Sequence, residues 1–324
     1  MTIRRRPFLG TVAALGASAL LHTPARAQAF PSKPIKFVVG FPPGAASDII
    51  ARTIGEKLAV ALGQPVLIDN KPGASTIIAS EFVAKAPADG HTILLNLALH
   101  VQNQSLYRKL PYDIFKDFVG ITDICASPVM LIVNSNNPAK TVKEFFDWGK
   151  GRKLSYASWG NGSTGHLLGH VLHEMAQLDA THIPYKGGAP AITDLLGGQV
   201  DSIIIDLAST KAHQDSGRLR PLAVVLDRRM PQLPNVPTML EAGVPNMDAA
   251  GLYGFYAPAA TPRDVVQRLS TEVQRILKLP DVAQRFNDLA FIVRGSNPDV
   301  FAETTRREFQ RWEKIIKTAG VTLD

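Results

Sequence analysis

Short, continuous apolar runs alternate along the chain with longer runs whose apolar residues recur at helical spacing. Lys36–Phe41 reads as a buried strand that Pro42-Pro43-Gly44 breaks. From about Ser47 a helix follows, with Ile49, Ile50, Ile54, Leu58 and Leu62 on one face and Gly63 as its stop. Pro65–Ile68 is a second strand, ended by Asp69-Asn70-Lys71-Pro72-Gly73. A helix over roughly Thr76–Ala86 and a strand over Thr92–Leu95 come next. After an irregular stretch, Val129–Val133 is a strand, and Asn134–Pro138 is a loop expected to cross between domains.

The alternation then restarts. Strand Leu154–Ser158, a glycine-rich turn at Gly160–Gly165 and helix His166–Leu178 lead to strand Thr181–Tyr185. Helix Ala189–Leu196 and strands Val200–Ile205 and Pro221–Leu226 follow. Repeated strand–helix alternation predicts mostly parallel sheets with helices on both faces, and two cycles of it predict two similar α/β domains. The tail reads as helical. Thr261-Pro262 with Asp264 forms a capping-box-like start, and Val265, Val266, Leu269, Val273, Ile276 and Leu277 make an apolar stripe. Asn297-Pro298 opens a last helix with Phe301, Phe309, Trp312, Ile315 and Ile316 facing the core and Gly320 at its end.

Charge changes the picture at one end only. The 324 residues carry 35 Lys+Arg and 28 Asp+Glu, a formal charge of +7. Arg4, Arg5, Arg6 and Arg26 lie within the first 27 residues, which hold no acid, so the remaining 297 residues carry +3. That balance excludes the basic stripe that binding to a phosphate backbone needs. The same segment reads as a secretory signal: three arginines, an uncharged run from Phe8 to Leu21, and Ala25-Arg26-Ala27 as the cleavage site. Two arginines followed by x-Phe-Leu resemble the twin-arginine variant, so the export route, general secretory or twin-arginine, stays open. Residues 1–27 are therefore expected to be removed and the mature chain to be periplasmic. The lone Cys125 makes no internal disulfide, and no Cys/His spacing matches a structural zinc site.

Three places are candidates for chemistry. Gly160-Asn161-Gly162-Ser163-Thr164-Gly165 has dinucleotide-fingerprint spacing between a strand and a helix, but the following strand ends Pro184-Tyr185-Lys186, with a base where a ribose-binding acid belongs. What remains is a helix start whose free N–H groups attract an anion. His166, His170 and His173 lie within about 60° of one another on a helix, opposite its apolar residues, and read as a solvated polar face with His166 on the anion-attracting first turn. The third is the recurrent strand-end loop of Pro42–Ser47, Pro72–Thr76 and Gly160–Gly165. Three small-residue loops from two domains, aimed at one cleft, describe a clamshell for a small anion. No nucleophile with a placed base is evident. The rival reading, an exported hydrolase or isomerase, rests on His166 beside Ser163.

Phe41-Pro42-Pro43-Gly44 with Asp48 and Ala51-Arg52 resembles the first signature of the substrate-binding proteins of tripartite tricarboxylate transporters, the Bug-type family. Asp69–Ala74, Ala88–Thr92, Leu110–Asp113, Tyr156–Ser158, His182–Gly187 and Asp194–Asp201 follow in that family's order. The resemblance implies a two-domain periplasmic binding fold, type II-like, with mixed, mostly parallel sheets and the ligand between domains. Domain 1 would hold residues 28–130 and 250–324, and domain 2 residues 131–249. It implies a monomeric, non-enzymatic receptor without cofactor or metal that captures a small organic carboxylate and presents it to membrane permease subunits. A ligand-sensing partner of a signalling receptor would share every one of these features.

Carried onto this chain, the candidate ligand-binding residues are Phe41, Pro43, Gly44, Ala45, Ser47, Ser75, Thr76, Ile77, Leu97, Ser158, Ser163, Thr164, His166, Tyr185, Lys186 and Asp206, the last able to meet a polar ligand group. Two departures bear on the ligand. Ala45 stands where the family has a second glycine, and Ser75-Thr76-Ile77-Ile78-Ala79 stands where it has Gly-Gly-Asn-Ile-Gly. Losing that asparagine removes polarity from the pocket, so the expected ligand is a mono- or dicarboxylate with an apolar or aromatic body, near Phe41, Leu97 and Leu99.

Overall fold

In the computed structural model, residues 30–245, 247 and 251–323 are described. The export signal expected over residues 1–27 lies outside them. Two sheets carry the fold. The first is built from β1 (Ile35–Val39), β2 (Val66–Asn70), β3 (Thr92–Leu97), β4 (Phe118–Ser127), β10 (Gly251–Pro258) and β11 (Ile292–Val293), in the order β11-β4-β10-β3-β1-β2. The second is built from β5 (Val129–Asn134), β6 (Leu154–Ser158), β7 (Ala180–Pro184), β8 (Ser202–Asp206) and β9 (Leu219–Val224), in the order β7-β6-β8-β5-β9. In each, four strands point the same way and an inserted strand runs against them: β10 between β3 and β4, and β5 between β8 and β9. The short edge strand β11 also runs against β4. The sheets are therefore mixed.

Away from the sheet edges, strand side chains alternate between two buried faces, which is why these runs are mostly apolar. In β1, Ile35, Phe37 and Val39 enter a core beneath α1 (Ala46–Leu62) and α8 (Arg263–Leu277), while Val38 enters the opposite core. There α2 (Ile77–Ala84) and α3 (Leu99–Leu106) cover the sheet. In β5, Val129, Leu131 and Val133 face α4 (Val142–Gly149) and α5 (Thr164–Met175), and Met130 and Ile132 face α6 (Gly188–Leu196) and α7 (Leu207–Asp215). All six residues of the expected α8 stripe are buried in the first core. Thr261 does not cap that helix: its hydroxyl donates to the Pro258 carbonyl, and Pro262 holds the cap position. A short helix, α9 (Pro280–Asp288), joins α8 to β11.

The chain passes from the first sheet to the second at Pro128, between β4 and β5. The crossing expected at Asn134–Pro138 is instead the β5–α4 loop, tied down by Asn134 side-chain bonds to the Leu195 and Leu196 carbonyls. The irregular stretch after β3 contains α3 and β4 itself. The return to the first sheet is β10. The last helix, α10 (Pro298–Ala319), crosses β4 and packs on α3 and α5, so one apolar core runs through both lobes. Phe301 is its anchor. A Cβ on Gly254 would lie 2.2 Å from the Phe301 ring, and one on Gly120 2.6 Å, so adjacent strands give up two side chains to seat one aromatic.

Gly254→Val should therefore overpack this seat and cost about 1–3 kcal/mol. Phe301→Ala should cost about 3–5 kcal/mol by leaving a cavity. Urea unfolding midpoints measure both, and an unchanged midpoint in Gly254→Val would refute the close seat.

Candidate functional site

The carboxyl ends of β1, β3, β6, β7 and β8 meet across the gap between the lobes, where two adjoining cavities share Phe41 and Trp159 as a common wall. The smaller has about 290 Å³ of empty volume and the larger about 620 Å³.

The small cavity is apolar in its walls and polar at one end. Phe41, Leu97, Trp159, Ile205 and Tyr253 supply hydrophobic surface. Its polar end is formed by the starts of three helices: Ala45–Ser47 of α1, Gly188 of α6, and Asp206 with Ser209 of α7. The caps of α1 and α6 are Ala45 and Gly187, which have no side-chain acceptor, so their first-turn N–H groups keep no side-chain partner. Ser47 Oγ is buried there with no hydrogen-bond partner among the described residues. Asp206 caps α7 by accepting from the Ser209 N–H at 2.8 Å. Burial nevertheless pushes its carboxyl above the ordinary range.

Behind the cavity, Asp48 fixes the β1–α1 loop. It accepts from the Gly44 N–H at 3.0 Å, Arg52 Nε at 2.9 Å and Asn70 Nδ2 at 3.1 Å. Burial alone would raise its carboxyl, but these donors outweigh it and hold the group below the usual range. Asn70 also donates to the Phe41 carbonyl at 2.9 Å, which aims that strand end.

The large cavity is walled by the Gly73–Thr76 turn on one lobe and by Gly160–Asn161 and Pro184–Gly187 on the other. Ala74, Ser75 and Thr76 all hold positive φ, at 43°, 50° and 72°. Ser75 Oγ donates across the gap to the Asn161 carbonyl at 2.7 Å. Nearby, Gln102 Nε2 donates to Thr164 Oγ1 at 3.1 Å, a second contact between lobes.

Of the residues singled out from sequence, Phe41, Ala45, Ser47, Leu97 and Asp206 line the small cavity. Ser75, Thr76, Tyr185 and Lys186 line the large one, which Phe41 also borders. The Tyr185 hydroxyl is already donated to Asp194 at 2.6 Å. Pro43, Gly44, Ile77, Ser158, Ser163, Thr164 and His166 lie off both walls. Ser163 caps α5 by accepting from the His166 N–H at 3.3 Å, so that helix start satisfies itself. Leu99 is buried in the core beneath. Sequence reasoning named Asp206 at the start of α7 but missed Trp159, Ile205, Tyr253, Ser209 and Gly188 at the start of α6. Trp159 directly follows β6, and Gly187-Gly188 stand at the β7–α6 junction, so both carried a strand-end signal. Tyr253 lies within β10 and carried none.

The histidine face of α5 is not solvated. His166 is 8% and His173 4% exposed, because that side of the helix packs on β6 and β7. His166 stacks on His182 with centroids 3.7 Å apart, and His173 stacks on Tyr156 at 4.8 Å. Among the described residues no group of three or more His, Cys, Asp or Glu side chains is arranged to hold a metal. Burial, then the neighbouring charge of His170, lowers His166 to about 4; burial, then His166 and His170, lowers His182 to about 3.

Both pKa values lie below the ordinary 6.5. Between pH 6.5 and these values an unfolding chain takes up protons that the native pair refuses, so native stability is fullest above pH 6.5 and falls with acidification toward pH 4. The urea midpoint should drop from pH 7 to pH 5, and His166→Asn should reduce that drop. An equal drop in the variant would show that His166 titrates normally.

Comparison with known proteins places this cleft in context. A model described as the tripartite tricarboxylate transporter family receptor matches residues 50–321. A Pseudomonas protein from a tcbD–tcbE intergenic region is 38% identical over 316 residues, covering 97% of this chain and 94% of that one. A Rhodopseudomonas palustris protein solved with adipate superposes with a TM-score of 0.87 at 34% identity, over 90% of this chain and 99% of its own. MatC of the same organism, solved with bound malate, gives 0.84 at 32%, over 89% and 100%. Family receptors are periplasmic binding proteins, not enzymes. With the model match covering most of its length and the two-lobed fold shared throughout, this chain belongs to the tripartite tricarboxylate transporter receptor family.

Proposed function

We propose that the interlobe cleft binds a small organic carboxylate with an apolar or aromatic body, and that the loaded protein delivers it to the membrane subunits of a tripartite tricarboxylate-type transporter. The observation that carries this is the polar end of the small cavity. Buried Ser47 Oγ has no partner among the described residues, and it sits where two helix starts offer N–H groups without a side-chain cap. Such a cluster of unpaired donors is complementary to a carboxylate. The walls beside it are Phe41, Leu97, Trp159, Ile205 and Tyr253, which suit hydrocarbon. Asp206 is placed to accept from a hydroxyl or amine on the ligand, and Ser75, Thr76 and Lys186 border the space into which a longer body extends. The adipate and malate bound by two similar proteins support a small organic carboxylate as ligand, and of the two only adipate has the apolar body proposed here.

In this reading the lobe carrying β1–β4 and β10 and the lobe carrying β5–β9 are the two domains that close on the ligand, as a monomer. Residues 1–27 serve as the export signal, by the general secretory or the twin-arginine route. The hydrolase reading gains nothing from the geometry. His166 Nδ1 accepts from the Gly162 N–H and Ser163 Oγ from the His166 N–H, so the two side chains do not form a nucleophile–base pair.

A thermal-shift panel tests the ligand class: aromatic or longer aliphatic carboxylates should raise the melting temperature by several degrees at saturating concentration. Strong stabilisation by citrate or malate with no response to aromatic acids would overturn it. For the best binder, Ser47→Ala should weaken affinity about tenfold by calorimetry, as expected for losing one hydrogen bond to a charged group.

A further inference from the structure

The loop Gly160–Gly162 forms one wall of the large cavity through Gly160 and Asn161, and Asn161 receives the cross-lobe bond from Ser75. Its far end is held directly by one imidazole, and its near end by a serine hydroxyl that a second imidazole touches. At the far end, the Gly162 N–H donates to His166 Nδ1 at 3.0 Å, so that nitrogen carries no proton and the ring hydrogen is on Nε2. At the near end, Ser158 Oγ donates its single proton to the Gly160 carbonyl at 2.9 Å and accepts from the Gly160 N–H at 3.2 Å. His182 Nε2 lies 2.7 Å from the same hydroxyl. With the Ser158 proton on the Gly160 carbonyl, the imidazole is the donor of this pair, the arrangement that places the His182 hydrogen on Nε2 and that the ring-nitrogen measurement tests. The two rings are stacked at 3.7 Å and only 9° from parallel.

We propose that the stacked pair His166–His182 is the positioning element of the ligand-facing loop, each neutral ring fixing one end, and that neither residue touches the ligand. Two protonated rings at this separation would repel, and a protonated His166 would present a donor to the Gly162 N–H. The groups around the pair reinforce neutrality more than they oppose it. From α5 come His170, half-buried and near the Ala319 carbonyl, and His173, whose Nδ1 is paired with the Gly169 carbonyl. Tyr156 of β6 stacks on His173 and His182. The acids acting on this cluster are Glu174, through Tyr156, and Asp201, through His173. Among the described residues, the neighbouring charges that bear on the pair are those of the histidines themselves.

That the loop faces a ligand rests on the function proposed above, but the test needs no ligand, so the two ideas fail separately. Nitrogen-15 NMR of the unmodified protein at pH 7 should show both rings neutral with hydrogen on Nε2. In His166→Leu, exchange of the Gly162 amide should speed at least tenfold, while His166→Asn, whose side-chain oxygen can accept the same bond, should restore most of the protection. His182→Leu should speed the Gly160 amide instead. Urea midpoints measured alongside separate loop loosening from global destabilisation. An Nδ1–H form of His166, or a Gly162 amide equally protected in the Leu variant, would overturn the assignment. The ring-nitrogen measurement decides even if the Leu variants do not fold.

Discussion

Both sheets are covered on both faces, and that burial dictates the character of the strands, the loops and the cleft. A strand with two dry faces is apolar at most positions, so β1, β3, β5 and β8 read as near-continuous hydrophobic runs rather than alternating ones, with Lys36 and Asn96 as interruptions. Covering two faces with short connections puts a helix after almost every strand, and each helix starts at the carboxyl edge it has just left. When two such sheets are set edge to edge, their carboxyl edges share one gap. Helix N-termini from both lobes then converge there, with Asp48 fixing the start of α1 and Asp206 capping α7. Ala45, Gly187 and Gly188 at that edge are small, so backbone lines much of the gap beside the helix starts.

The same reasoning explains what the sequence disclosed. Elements whose period is local were legible: α1, β6, the α8 stripe and the Phe301–Trp312–Ile316 face of α10 all match their pattern. The sheet partners of β10 were not, because it joins β3 and β4 after more than a hundred intervening residues. No local period encodes that pairing. The polar end of the small cavity was half legible. Ala45–Ser47 announced itself by glycine and proline before a helix, whereas Gly188 and Ser209 belong to helices whose starts lacked a small-residue loop of comparable length. The α5 histidines misled because helical period alone sorts faces by polarity. A face of histidines can be dry when its neighbours are other aromatic rings, as Tyr156 and His182 are here.

The Gly73–Thr76 turn shows how a substitution can preserve a backbone that its side chains oppose. Three consecutive residues with a Cβ hold left-handed conformations, each at a cost of about 1–2 kcal/mol. Four hydrogen bonds stand against that cost. Asn103 Nδ2 donates to the Ser75 carbonyl, Asn96 Nδ2 to Thr76 Oγ1, the Thr76 N–H to the Gly73 carbonyl, and Ser75 Oγ to Asn161. At about 1 kcal/mol each, they offset most of the strain but leave no large surplus. The Thr76 methyl also fills the space above Gly40, which any Cβ there would invade.

A turn balanced in this way behaves differently from one made of glycine. Glycines would leave the wall free in the open protein and charge its ordering to the binding step. Here three of the four bonds lie within the first lobe and persist when the lobes part, so most of the ordering is complete before a ligand arrives. Only the Ser75–Asn161 bond depends on closure, and it reaches a loop that is fixed from behind by buried side chains of the second lobe. Each lobe thus brings a preset wall to the cleft. The free energy of closure then depends less on ordering the walls than on what lies between them: apolar contact at Phe41 and Trp159, and donors seeking an acceptor at Ser47.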